Sequence, residues 1–476
     1  MSLRFAPLTS TLLALALSIA PPTLFAGDGD VDPTFAPASN WLPGWERLDF
    51  SGLNEKGIAV ARNVDGTFIV CLSVPGGSAG ARIGLVKFDS SGQRITTFGV
   101  NGQVLKDAAL SRIADMAMDA QGRIVVVGST PGPAGLDDFG IVRFNADGSD
   151  DTTFAGDGGT SAGFEYTVGP LNFYSQDRPT SVTTDPTGNI VVAGSTFAQT
   201  GGGVKWGVIR LNADGSYNNR VSGLYAADQD AVGNKILSLR GGYYLVVGST
   251  LVSATDADFG ARIISPALHV ASDYSDSGAF AFDVAAGDGS LIDFASDAAP
   301  AGPDRVVLAG VASEKIAVNR ILIQRDGNGH PASLALDTSF VGGGLPNYPY
   351  NYVGPLNVTD TDIGYGTART RVAIRSDGSI VLTGRFHNTS DNSSSAIVTR
   401  LSADGSEDSD FAFLAATRFY KTPTSAGGNS TDSGFSDLVI DGGRAVLVGT
   451  SLDSTGDTDG IITRLQSDLI FADRFE

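Results

Sequence analysis

The chain has 476 residues, 42% of them hydrophobic, and a formal net charge of -20 with only 18% charged residues. The acidity reflects a shortage of Lys and Arg, and no basic run exists to displace counterions from a phosphate backbone, which excludes nucleic acid as a partner. A single cysteine, Cys71, excludes an internal disulfide; it lies in a β-branched run and is expected to be a buried thiol.

In chain order, residues 1–26 read as a secretory signal, with Arg4 in the n-region, an apolar run from Leu12 to Ile19, and Leu24-Phe25-Ala26 as the cleavage site. No cysteine follows the cleavage site to take a lipid, and no later apolar run of about 18 residues exists to span a membrane. The mature chain is therefore expected to be secreted, periplasmic or at the cell surface, and a monomer. It begins with three alternating carboxylates, Asp28, Asp30 and Asp32, a spacing suited to Ca2+. Asp32-Pro33-Thr34-Phe35 follows as a spare copy of a segment that recurs later.

From there a unit returns seven times. Its marker positions are Leu72, Gly128, Gly194, Gly248, Gly310, Gly384 and Gly449, and around each the order is the same: strand, tight turn, β-branched strand, variable loop, strand, second turn. Asp-Gly pairs at Asp65-Gly66, Asp147-Gly148, Asp214-Gly215, Asp377-Gly378 and Asp404-Gly405 predict hairpins with type I′ turns. Short strands joined by Gly-rich turns at this unit length predict an all-β, seven-bladed β-propeller of four-stranded blades. The segment Asp151 to Phe154 is expected to begin the fourth strand. The spare N-terminal copy is expected to complete the last blade and close the ring, which removes two sheet edges. One propeller domain then occupies 27–467, leaving 468–476 as a short C-terminal tail.

The run Ile141-Val142-Arg143-Phe144-Asn145-Ala146-Asp147-Gly148-Ser149, continuing through Asp151 to Phe154, resembles the bacterial delta-60 repeat family, with a second copy at Val208 to Ser216. The resemblance covers nearly the whole mature chain. It weakens in the third unit, where Asn218 and Val221 replace the Asp and Phe, and in the irregular fifth. It implies a secreted or surface protein and brings no catalytic residue with it. Within the motif, Arg143, Arg210, Arg400 and Arg464 share one position, and Asp151, Asp337 and Asp408 head the next segment, a pattern that predicts an Arg to Asp bridge serving the blade.

Function is then expected where the units differ. The second-to-third loops and the crossovers between blades fall on one face of the ring, and loops on a rigid scaffold are where binding groups reside. Asp138, Asp258 and Asp459 stand at equivalent positions there, as carboxylates for one rim. Two crossovers share Val-Gly-Pro-Leu-Asn, at Val168 to Asn172 and Val353 to Asn357. They carry Phe164, Tyr166, Phe173 and Tyr174 in one case and Tyr348, Tyr350 and Tyr352 in the other. Aromatic faces beside Asp and Asn suit sugar rings, although the same aromatics would also pack the crossovers down. The leading expectation is a non-catalytic binding scaffold whose ligand is a polysaccharide or another extracellular protein. The alternative is a carbohydrate-active hydrolase or lyase using rim carboxylates. No nucleophile triad or cofactor fingerprint is legible, so no cofactor is expected beyond the possible Ca2+. His269, His330 and His387 lack metal-ligand spacing.

Overall fold

A computed structural model describes residues 28–37, 42–50, 52–168, 171–198, 203–226, 229–253, 256–269, 279–284, 293–312, 315–341, 370–388, 393–408, 411, 417–420, 432–452 and 457–467. The leader 1–26, the tail 468–476 and Tyr348, Tyr350 and Tyr352 lie outside the described residues.

Seven four-stranded antiparallel sheets follow one another along the chain, with strands in simple sequence order in six of them. The second blade is representative: Arg112–Met118, Ile124–Pro131, Asp137–Phe144 and Gly159–Ala162. The innermost strands of the seven blades touch one another in a closed cycle, the last (Asp432–Asp441) against the first (Lys56–Arg62). The chain is thus a seven-bladed propeller. The N-terminal strand Trp45–Leu48 pairs with Thr458–Arg464 and completes the seventh blade, so the ring is closed by chain from both ends.

The marker glycines have a steric cause. In six of the seven units the first strand bulges opposite its marker, as between Ile113 and Asp115, and at marker glycines such as Gly128 the strand's carbonyl leans into the space a side chain would take. A Cβ on Gly128 would lie 2.0 Å from the Arg112 carbonyl oxygen, far inside van der Waals contact. The residues just after these bulges, with Arg371 at the corresponding place in the sixth blade, form a ring of equivalent positions: Ala59, Asp115, Ser181, Lys235, Asp297, Arg371 and Asp437. Its acids stitch blade to blade. Asp115 accepts from the Val182 amide (3.0 Å), Asp297 from Val372 (2.9 Å) and Asp437 from Val60 (2.9 Å). Burial opposes the charges of Lys235 and Arg371, but Asp297 lies beside both and holds their pKa values up.

The Asp-Gly hairpins are present with a different turn. Gly148 has φ of +87°, whereas Asp147 is not among the residues with positive φ, so both central positions are not left-handed as type I′ requires. Instead the Gly148 amide donates to the Asn145 carbonyl and the Asn145 amide to Ser149, a three-residue loop ending in a left-handed glycine. The Asp147 carboxylate accepts from both the amide and the hydroxyl of Ser149. That cap explains why Ser or Thr follows each Asp-Gly pair.

The Asp151 to Phe154 segment is a turn and not the start of the outer strand, which begins at Gly159. Its role is to join blades. Arg143 Nε donates to Asp151 Oδ2 at 2.7 Å, both side chains being buried, and the guanidinium carbon sits 4.5 Å from the centre of the Phe154 ring. Arg143 Nη1 reaches the Ala213 carbonyl of the third blade, and the Ala155 amide donates to Asp214 there. Phe154 seats beneath Gly215, where a Cβ would lie 2.8 Å from the ring. The same clasp recurs with Arg320, Asp337 and Phe340, with Arg400, Asp408 and Phe411, and with Arg464, Asp32 and Phe35. In the third blade Asn218 stands in for the Asp. The Cys71 side chain is fully buried, and burial pushes its thiol pKa up.

Candidate functional site

The topology places the second-to-third loops and the crossovers on one face, as expected, but some of these loops are shorter than their sequences suggest. The strands extend through much of Pro75 to Ala81 and of Leu251 to Asp258. The crossover from the second to the third blade instead builds structure of its own, a two-stranded hairpin of Tyr166–Val168 and Leu171–Phe173 that spans the shared Val-Gly-Pro-Leu-Asn string. Tyr166 and Phe173 are cross-strand partners in it, and Tyr174 follows, half-buried. Phe164 packs inward, edge-on to the buried Phe139.

Asp138, Asp258 and Asp459 occupy one register position, opposite Thr130, Thr250 and Ser451. They are not displayed together on an open rim. Asp138 and Asp459 are buried, and each is drawn into the junction with the following blade. At the junction of the seventh and first blades, Asp459 Oδ1 lies 2.8 Å from Arg47 Nε, and Glu55 is fully buried with Oε1 accepting from the Phe50 amide. Burial pushes the Glu55 carboxyl up to about 7. At the fourth blade, burial and then Asp256 and Asp283 raise the Asp258 carboxyl.

The junction of the second and third blades is the densest. One oxygen from each of Asp138, Glu165 and Asp177 lies within 4.8 Å of the others. Asp177 Oδ2 accepts from the Phe164 amide at 2.7 Å and the Ser175 hydroxyl at 2.9 Å. Burial, then Glu165, pushes the Asp138 carboxyl up to about 8, and burial pushes Asp177 to about 6. Glu165 and Asp177 were not singled out from the sequence. A signal existed for Asp177: with Glu55 and Asp293 it stands at one fixed distance before the marker residue of its unit. Nothing in the sequence pointed to Glu165.

The N-terminal acids serve the ring. Residues 28–30 stand where other blades carry the Asp-Gly hairpin: Gly29 packs on Phe411, its amide donates to the Gln466 carbonyl, and the Asp30 carbonyl accepts from the Gln466 amide. Asp28 pairs with Arg400, and Asp32 with Arg464 and Arg444. The carboxylates of Asp28 and Asp32 thus face arginines, and the structure does not gather them with Asp30 into one ligand set. A separate cleft of about 600 Å3, lined by Lys106, Asp107, Asp150 and Asp157 among others, lies between the first and second blades and contains no predicted site residue. Among the described residues, no helix is long and apolar enough to cross a membrane.

The chain matches the family model described as "Domain of unknown function (DUF5122) beta-propeller" over residues 121–154, 186–219 and 375–411. Two of these stretches end on the clasp phenylalanines Phe154 and Phe411, and the match supports a β-propeller family. No curated protein matches the sequence. Among solved structures the chain is similar to a protein of unknown function from Dyadobacter fermentans, with 10% identity and a TM-score of 0.42 over 89% of this chain and 100% of that one. It is also similar to the arabinofuranosidase arb93a of Fusarium graminearum, with 10% identity and a TM-score of 0.40 over 92% and 98%. A third likeness is to the Trypanosoma rangeli sialidase, with 9% identity and a TM-score of 0.41 over 91% and 61%.

Proposed function

We propose that this chain is an exported, non-catalytic binding propeller whose long-loop face takes an extracellular polysaccharide. The observation that carries the reading is the difference between the two faces. On one, Asp-Gly turns cap themselves through Asp147 and its equivalents, which leaves short turns with little to vary. On the other, one crossover adds the hairpin holding Tyr166 and Phe173, followed by Tyr174. Rigid aromatics beside hydrogen-bonding groups match the alternating apolar and hydroxyl surfaces of sugar rings. The residues bet on are Tyr166, Phe173 and Tyr174, with Tyr348, Tyr350 and Tyr352 on the second Val-Gly-Pro-Leu-Asn crossover. The test is affinity electrophoresis of the mature protein through gels containing a panel of polysaccharides. Retardation by at least one polysaccharide is expected, with its loss in the Tyr166→Ala, Phe173→Ala and Tyr174→Ala variants. No retardation in any gel moves the assignment to a protein ligand, and retardation unchanged in all three variants removes these residues from the site.

One arrangement favours a hydrolase or lyase as the second reading: Asp138, Glu165 and Asp177 bring three carboxylates together, and burial, then Glu165, pushes the Asp138 carboxyl up to about 8, in the range a general acid uses. Release of reducing ends by the mature protein, abolished in Asp138→Asn with retention kept, is the outcome that would install it.

A further inference from the structure

We propose that Asp138, Glu165 and Asp177 form a Ca2+ site that ties the crossover between the second and third blades to the loop of the second. The proposal goes beyond ligand binding and does not depend on what the face takes. Two of the three side chains are more than nine-tenths buried, and Oδ1 of Asp138 and Oδ1 of Asp177 are each buried without a hydrogen-bond partner. Such an oxygen loses its water and gains nothing in return, an arrangement that costs free energy unless a cation or donor faces it.

Two glycines hold the space open. A Cβ on Gly132 would lie 2.5 Å from Asp138 Cγ, and one on Gly163 would lie 2.5 Å from Glu165 Oε1 and 2.7 Å from Asp138 Oδ1. Backbone therefore approaches the carboxylates where any other residue would press into them. Arg220 does not neutralise the group directly; its guanidinium donates to the carbonyls of Gly163 and Glu165 and fixes the crossover backbone from the other side.

The fold supplies its own comparison. Asp459 and Glu55 hold, at the junction of the seventh and first blades, the positions that Asp138 and Asp177 hold here. There Arg47 provides the positive charge, 2.8 Å from Asp459 and within 4.0 Å of Asp457. At the junction of the second and third blades a third carboxylate is added instead, and the neighbouring charges that act on Asp138 and Asp177 are those of other carboxylates. Three carboxylates with no nitrogen or sulfur donor select a hard divalent ion, and their 4.8 Å span suits Ca2+ with ligands at about 2.3–2.6 Å, water filling the remaining positions.

The test uses the mature full-length chain, stripped with chelator and titrated with CaCl2 at pH 8 by calorimetry, alongside thermal melts in Ca2+ and in chelator. Binding of Ca2+ with a raised melting temperature is expected. Asp138→Asn and Asp177→Asn are expected to weaken that binding by at least about tenfold and to lose the melting shift. In chelator both variants should still melt cooperatively and close to the parent, because Asn keeps the shape of the side chain and an oxygen acceptor for donors such as the Phe164 amide, so loss of the shift is separated from loss of the fold. Asp258→Asn, at the same register position in the fourth blade, should keep both. A parent melt identical in Ca2+ and in chelator, or Ca2+ binding that survives Asp138→Asn undiminished, overturns the proposal.

Discussion

Arg400 in the sixth blade pairs with Asp28, 372 residues earlier in the chain. Four residues on from Asp28, Asp32 accepts from Arg464 Nε at 2.9 Å, and Arg464 in turn reaches the Ser90 carbonyl of the first blade. The short stretch 28–35 therefore supplies both the hairpin and the motif segment that blade seven lacks, and it is held on one side by Arg400 of blade six and reaches blade one on the other, where Phe35 packs on Gly92. Asp32→Ala leaves Arg464 buried without its carboxylate, and breaking such a pair costs about 3–5 kcal/mol. Denaturant unfolding of the mature protein should show that loss as a lower midpoint. Because Asp28 and Asp32 belong to one closure, the double variant should lose less than the sum of the two singles. A strictly additive pair would mean that the two contacts do not act as one latch.

The clasp between internal blades predicts a comparable loss at Phe154. The ring is fully buried, lies under the Arg143 guanidinium and fills the space beneath Gly215. Phe154→Ala removes contacts from two blades at once and should cost about 3–5 kcal/mol. The expected readout is increased amide exchange in both the second and the third blade. Exchange confined to the second blade would show that Phe154 serves only its own sheet.

These two cases mark how far the sequence could be read. Blade number, hairpins and closure by N-terminal chain were legible, because the marker, the Asp-Gly pairs and the spare Asp32 to Phe35 copy each recur at fixed places in a unit. The turn type was not, since an Asp-Gly pair is compatible with two hairpin geometries and only the backbone separates them. The closing strand, Trp45–Leu48, carries no repeated signature, so the motif ahead of it drew attention to the wrong segment. The carboxylate cluster needed the fold outright. Asp138, Glu165 and Asp177 come from a third strand, a crossover and the next blade's first strand, and no spacing rule within one unit joins them.

Gly128 offers a sharper test of the bulge. Its missing side chain makes room for the Arg112 carbonyl, a backbone atom that cannot rotate away. Gly128→Ala should therefore destabilise by at least about 1–3 kcal/mol. Gly327 lies in an open turn with nothing within 4 Å of its would-be Cβ and no positive φ, so Gly327→Ala should be neutral or raise stability by about 0.4–1 kcal/mol through the unfolded chain. Thermal melts of the two variants side by side check this, and equal losses at both positions would remove the bulge explanation.

Glu55 gives the pH dependence its sign. Burial pushes its carboxyl up to about 7, with Asp49 and Asp459 adding to the rise and the Phe50 amide opposing it, while Arg47 pairs with Asp459 inside the seventh blade beside it. In the unfolded chain the group titrates near 4.3. A folded pKa above the unfolded one means that the folded state holds the proton more tightly. The stability it brings is complete below about pH 4.3 and is lost as pH rises through about 7, at up to about 1.4 kcal/mol per pH unit while the group ionises. The clasp acids run the other way. A hydrogen bond from Ser339, with Arg320 beside it, holds the Asp337 carboxyl down at about 2. Its contribution is present above about pH 4 and disappears as pH falls through about 2. Unfolding midpoints followed from pH 3 to 9 should thus pass through a maximum on the acid side of neutrality and decline toward pH 8. Glu55→Gln keeps an acceptor for the Phe50 amide but has no proton to lose, so its decline between pH 5 and 8 should be shallower than that of the parent. Superimposable profiles for the two proteins would show that Glu55 is ionised in the fold throughout this range.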